Sequence, residues 1–301
     1  TDLYRNRDII NTHPDISSEF DALLWDNLRK MENYTGLGFG DPQKPLLFSV
    51  RSGAPMSLPG AMDTFLNIGL TDEITLKLSQ RPNYGWTAWD CYRRLIQSWG
   101  MAHGIARDEF DQVMILYKQR YEIKQKFQFS PIQMQEMVND YKKVLDIHSV
   151  TLEQDPYRQL YKSISHVLDS WNTPRARLYR SKLHIAEEWG TAVIIQKMVL
   201  GNISLDSGTG VLFTHAEWHK EPGIYLNGDF TLCSQGEDVV AGLVHTLPIS
   251  EAERMQSQGE MSLEKDFPAL YQALLRYARQ LIEERNYPHQ EMEFTFEGSS
   301  E

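Results

Sequence analysis

Between Pro45 and Leu70 the chain reads PLLFSVRSGAPMSLPGAMDTFLNIGL, and this stretch limits the possible folds more than any other. The apolar run Leu46-Leu47-Phe48, continuing into Ser49-Val50, has the length and bounding residues of a buried strand. Arg51, Ser52 and Gly53 follow where that strand should turn into a loop. Pro55, Pro59 and Gly60 then keep about ten residues out of helix or strand. A semi-rigid loop after a core strand is a place where binding residues collect. Residue types alone suit a surface arginine and a binding arginine equally well.

Composition narrows the classes. The chain has 301 residues, 41% hydrophobic and 24% charged, enough for one large domain or two ordinary ones. A formal net charge of −11 argues against a general nucleic-acid binder and against an anionic membrane surface. It leaves room for a phosphate ligand, which needs only local positive charge. Cys91 and Cys233 are too few for a disulfide framework, and a reducing, cytoplasmic setting is expected. No apolar run approaches membrane-spanning length.

Along the chain, Ser18-Glu19-Phe20-Asp21 reads as a capping box. Phe20, Leu23, Leu24, Leu28 and Met31 follow it as one helical face. From about Asp72 to Trp171 the pattern is nearly all helix. Trp89, Tyr92, Ile96 and Trp99 share one face. Phe110, Val113, Tyr117 and Tyr121 mark a second helix. Ser130-Pro131 and Asp155-Pro156 each read as an N-cap followed by a first-turn proline. These aromatic and Met stripes read as helix-packing core, and Arg93 and Arg94 as solvated helix charge or, less commonly, as arginines facing a ligand cleft. Trp189 to Val199 is β-branched and reads as a buried strand. Ser207-Gly208-Thr209-Gly210 offers glycines that would let backbone N–H groups approach a phosphate. His215 and His219 have a metal-pair look at helical spacing but no clear third ligand, and read as loop histidines. Leu270, Leu274, Tyr277 and Leu281 outline an amphipathic helix. In Glu291-Met292-Glu293-Phe294-Thr295-Phe296, period-2 alternation puts both carboxylates on one strand face. There they could hold Mg²⁺ against phosphates, or simply be the solvated acids of an edge strand.

Several of these segments together resemble the front part of the pyruvate, phosphate dikinase family. Ser49-Val50-Arg51-Ser52-Gly53 and the segment Ser57 to Leu70 follow its signature, with Leu58 and Ala61 where the family has methionine. Tyr92 to Gln97, Ser170-Trp171-x-x-Pro174-Arg175-Ala176 and Trp189-Gly190-Thr191-Ala192-Val193 match as well. So do Ser207 to Thr214, Gln235-Gly236-Glu237-Asp238-Val239-Val240-Ala241-Gly242, and Glu291-Met292-Glu293-Phe294-Thr295. The sequence departs from the family after Thr214, where it has His215-Ala216-Glu217 in place of Arg-Asn-Pro, and at Glu291, where the family has Asp.

The resemblance implies an α+β, ATP-grasp-like nucleotide-binding domain. Its first part would be residues 1–74, a helical insertion 75–171, and its second part 172–301. It implies MgATP as ligand, with Arg51 and Arg175 as catalytic phosphate contacts and Glu291 and Glu293 as metal ligands. Gln196, Met198, Val199, Ser207, Gly208, Thr209, Gly210 and Glu237 would bind the nucleotide. It further implies transfer of a pyrophosphoryl or phosphoryl group to a histidine on a swivelling domain, and use of that phosphohistidine by a pyruvate/PEP-binding barrel. On that reading a Gly-Gly-Lys-Gly segment would precede Thr1, the partner domains would lie outside the chain, and the chain would be a piece of a longer enzyme. The reading of another class is a divergent, non-catalytic nucleotide- or partner-binding module.

Overall fold

A computed structural model describes residues 14–53, 60–216, 222–236 and 246–298. It divides into two compact units, Thr1–Met198 and Val199–Glu301. Both have antiparallel sheets backed by helices, so the class is α+β. Among the described residues no helix is long and apolar enough to cross a membrane.

The first unit opens with helix α1 (Pro14–Thr35). It begins at Pro14, whose fixed φ suits a first turn. The capping box expected at Ser18 therefore falls inside the helix. Strands β1 (Phe48–Ser52) and β2 (Thr64–Ile68) follow. With β3 (Val193–Lys197) they form a sheet in the order β2-β1-β3. Phe48, Val50, Phe65 and Ile68 are fully buried and give this sheet its core face.

The expectation of a buried strand at Trp189 to Val199 does not hold. β3 pairs only with β1 among the described strands, and Trp189 and Ile194 are exposed. β-branched residues suit any pleated surface, and burial is decided by what lies on the other edge.

Helices fill the middle of this unit: α2 (Asp72–Ser79), α3 (Gly85–Ala102), α4 (Arg107–Arg120), α5 (Pro131–Ile147), α6 (Pro156–Ser170) and α7 (Pro174–Lys182). Their starts follow local chemistry. Ser130 accepts the Gln133 N–H, and Gln133 returns the bond to the Ser130 N–H at 2.8 Å. Asp155 accepts the N–H groups of Tyr157 and Arg158, each bond satisfying a donor that the first turn leaves orphaned. Trp89, Tyr92, Ile96 and Trp99 are buried, as their spacing indicates.

Arg93 and Arg94 are not solvated. They are 5% and 2% exposed, and both turn onto the fully buried Asp90. Arg93 Nε and Nη2 donate to Asp90 Oδ1 at 3.1 and 2.9 Å, and Arg94 Nε donates to Oδ2 at 3.1 Å. Lys126 Nζ reaches the same Oδ2 at 3.2 Å.

On α6, His166 packs 6.0 Å from the Phe65 ring and 4.5 Å from the His103 ring. Burial, then the nearby His103 and Lys162, lower its pKa to about 4. The unfolded chain takes up this proton near the ordinary value of about 6.5, while the folded chain refuses it until about pH 4. Stability is therefore expected to fall as pH drops through that window. In His166→Gln this loss should be absent, which thermal unfolding at stepped pH would show.

The second unit contains a four-stranded sheet in the order β6-β5-β4-β7, from β4 (Gly208–Phe213), β5 (Asn227–Leu232), β6 (Leu247–Pro248) and β7 (Glu291–Phe296). Helices α8 (Glu251–Ser257), α9 (Leu263–Asp266) and α10 (Pro268–Arg279) complete it. Leu212, Phe230, Phe267, Leu274 and Phe296 meet in its core. Tyr277, expected on the buried face of α10, is 56% exposed; Leu274 and Ala278 are the buried residues of that helix.

Candidate nucleotide site

In the first unit, Arg51 projects from β1 and is exposed. β1 pairs with β3 with Ser49 opposite Gln196 and Arg51 opposite Ile194. Alternation thus puts Arg51 and Gln196 on one face, and Arg51 Nη2 donates to Gln196 Oε1 at 2.9 Å. The bond orients both side chains. It occupies the amide oxygen of Gln196 and leaves its NH₂ to donate elsewhere.

Arg175 is the second residue of α7, behind the Thr173 cap and the first-turn Pro174. A helix start carries partial positive charge and favours anions, and the guanidinium adds a full charge. Gly60 sits at φ +60°, and a Cβ there would be 3.1 Å from Arg175 Nη2. The guanidinium therefore lies against Gly60, shortly before β2. Arg177 is exposed on the same helix. Arg180 is buried, donates to the Trp171 carbonyl and lies 4.4 Å over the Trp171 ring, which fixes this corner.

Asp63, just before β2, was not singled out from sequence. Its N–H donates to Ser170 Oγ at 3.2 Å, and burial holds its carboxyl above the usual range. At the end of β3 the Met198 N–H is taken by the Leu47 carbonyl at 2.8 Å. It is not open to an adenine edge, while Val199 is exposed.

In the second unit, Gly208-Thr209-Gly210 does not form a phosphate loop. It is the start of β4, a central strand bonded to β5 and β7, so its backbone groups belong to two ladders. The glycines answer to packing. A Cβ on Gly210 would meet the Phe294 ring at 2.6 Å, the Phe230 Cβ at 2.8 Å and the Asp229 carbonyl at 2.7 Å. Ser207 is fully buried, with Oγ 2.9 Å from the Gly201 carbonyl and 2.7 Å from that of Ser204.

The other face of this sheet is polar. Register puts Glu291, Phe213 and Asn227 in one row, Glu293, Val211 and Asp229 in the next, and Thr295, Thr209 and Thr231 in the third. Glu291, Glu293 and Asp229 are exposed. Thr209 Oγ1 lies 3.2 Å from Thr295 Oγ1 and donates to the Phe294 carbonyl at 2.9 Å. The carboxylates are hard oxygen donors of the kind Mg²⁺ takes. Asp229 was missed from sequence, although Asn227, Asp229 and Thr231 alternate with Gly228, Phe230 and Leu232 just as β7 alternates. Beyond β7, Glu297 accepts the Leu200 N–H at 2.7 Å. Glu237 lies outside the described residues.

A family model described as "Pyruvate phosphate dikinase, AMP/ATP-binding domain" matches residues 13–290. The chain belongs to that family. It is 40% identical over 276 residues to the pyruvate, phosphate dikinase of Rhizobium meliloti (strain 1021), which covers 90% of this chain and 30% of that protein. It is 42% identical over 231 residues to the chloroplastic pyruvate, phosphate dikinase of Mesembryanthemum crystallinum, covering 75% of this chain and 24% of that one. With the pyruvate, phosphate dikinase of Giardia intestinalis it shares 36% over 273 residues, 90% of this chain and 30% of that protein. The chain spans less than a third of the length of these relatives.

Proposed function

We propose that this chain is the MgATP-binding part of a pyruvate, phosphate dikinase-like phosphotransferase, with an ATP-grasp-like fold. The observation that carries the reading is the Arg51–Gln196 pair, an exposed guanidinium held in place on the family's signature strand. Arg51 and Arg175 contact the nucleotide phosphates. A guanidinium fork suits phosphate oxygens and keeps its charge at any working pH. Gln196, Met198 and Val199 hold the adenine, with the base edge facing Val199 and the NH₂ of Gln196. Ser207 to Gly210, all buried, serve the nucleotide indirectly by shaping the strand that pairs with β7.

Glu291 and Glu293 hold Mg²⁺. Among the described residues no three His, Cys, Asp or Glu side chains form a ready-made metal centre. Two carboxylates are what Mg²⁺ usually takes from a protein, with phosphates and water completing its shell. When bound, the ion would neutralise charge on the phosphates. Positioning and charge stabilisation are most of what phosphoryl transfer needs. Residues 75–171 are read as a helical insertion between 1–74 and 172–301. The acceptor is a histidine on a separate swivelling domain, and a pyruvate/PEP-binding barrel uses the product. The setting is cytoplasmic.

One observation favours a second reading, a non-catalytic nucleotide- or partner-binding module: His215 follows Thr214 where the family carries arginine. The two readings separate when a phosphohistidine domain and labelled ATP are supplied in trans, because only the first gives a labelled histidine. The carboxylate assignment is tested by Glu293→Gln. Calorimetry should show the gain in ATP affinity on adding Mg²⁺ reduced at least about tenfold, the equivalent of about 1.4 kcal/mol. An unchanged gain would refute the assignment.

A further inference from the structure

The ladder between β4 and β7 does not end at Phe213 and Glu291. The Thr214 N–H donates to the Gln290 carbonyl at 3.0 Å, and the next residues across from one another are His215 and His289. Their rings lie with centroids 4.9 Å apart and planes inclined by 35°. Both side chains are exposed, and alternation puts them on the face that carries Glu291 and Glu293.

We infer that His215 and His289 form a two-imidazole site for a divalent transition-metal ion such as Zn²⁺, separate in chemistry from a carboxylate site for Mg²⁺. Ring separation is the first argument. A metal about 2.0–2.1 Å from an imidazole nitrogen is about 3.2 Å from the ring centroid. Two such rings at about 90–110° around one ion have centroids about 4.5–5.2 Å apart, and the observed spacing falls inside that interval.

Support of the rings is the second argument. Thr214 is fully buried, and its Oγ1 lies 3.3 Å from His289 Nδ1. That oxygen also takes the Gln290 N–H at 2.8 Å and lies 3.2 Å from the Gln290 carbonyl. With the hydroxyl proton on that carbonyl, Nδ1–H of His289 donates to Oγ1, and Nε2 keeps its lone pair for the metal. A partner on the distal ring nitrogen is the usual support of a ligating histidine. The His215 backbone is held too, since Asn227 Nδ2 donates to its carbonyl at 2.9 Å and to that of Tyr225 at 3.0 Å. Imidazole suits Zn²⁺, Ni²⁺ and Cu²⁺ and is a poor ligand for Mg²⁺, so the two kinds of ion would not compete for the rings.

The test is calorimetric titration of the whole chain with Zn²⁺ in excess Mg²⁺. One saturable equivalent is expected, weakened at least tenfold by His215→Ala and by His289→Ala and unchanged by His184→Ala, another exposed histidine. Zn²⁺ should also raise the unfolding temperature of the wild type and not of His215→Gln or His289→Gln. Both variants are expected to match the wild type in circular dichroism without metal. Failure to saturate, or an affinity that survives both alanine substitutions, overturns the inference. Neither result bears on nucleotide binding.

Discussion

Asp90→Asn is expected to destabilise the first unit by about 3–5 kcal/mol, the cost of removing one partner from a buried ion cluster. Asparagine keeps the shape and deletes the charge. Arg93 and Arg94 would stay at 5% and 2% exposure with Lys126 beside them, facing a neutral amide. The carboxylate offers two oxygens to three cationic side chains, so it is the member whose loss matters most. For a unit of this size the loss corresponds to about 6–20 °C in unfolding temperature. The exposed pair Lys30–Asp26 is the control, with side chains 66% and 63% exposed. Asp26→Asn should change stability by less than about 1 kcal/mol. Equal effects of the two substitutions in thermal or urea unfolding would show that the Asp90 cluster contributes no more than a surface pair.

Arg51→Ala has the largest expected effect on binding. A charge-assisted hydrogen bond contributes about 1.5–3 kcal/mol, so MgATP affinity should fall about 10- to 150-fold. The substitution also frees Gln196, whose amide oxygen accepts from Arg51 at 2.9 Å. Arg51→Lys keeps the charge without the planar fork and should recover only part of the loss. Because Arg51 is exposed, unfolding of the unliganded variant should match the wild type, which separates a binding defect from a folding one. Unaltered affinity in a folded Arg51→Ala sample would remove Arg51 from the site.

What could be read in the sequence was mostly local. The caps at Ser130 and Asp155 need only residues within one helical turn, and both form. The aromatic stripe of α3 also needed only its own spacing. Misreadings arose where a distant partner decides. Arg93 and Arg94 look like helix surface until Asp90, three and four residues earlier, is joined by Lys126 from another segment. Gly208-Thr209-Gly210 looks open to a phosphate until β5 and β7 flank it. The run at Trp189 looks buried until β3 is seen to pair, among the described strands, with β1 alone. Within the candidate site, the alternation of β7 was legible and that of β5 was overlooked, so Asp229 emerged only from the register. The Arg51–Gln196 bond joins residues far apart in the chain, and only strand pairing brings them together.

The central claim is that this chain binds ATP together with magnesium. Its most direct test is calorimetric titration of ATP into the wild-type chain, once with Mg²⁺ and once with a chelator. The account predicts saturable binding of one nucleotide with Mg²⁺ and an affinity at least about tenfold lower in chelator, since the carboxylates then face the phosphates with no cation between them. A folded sample that binds equally well in both conditions, or in neither, would contradict it.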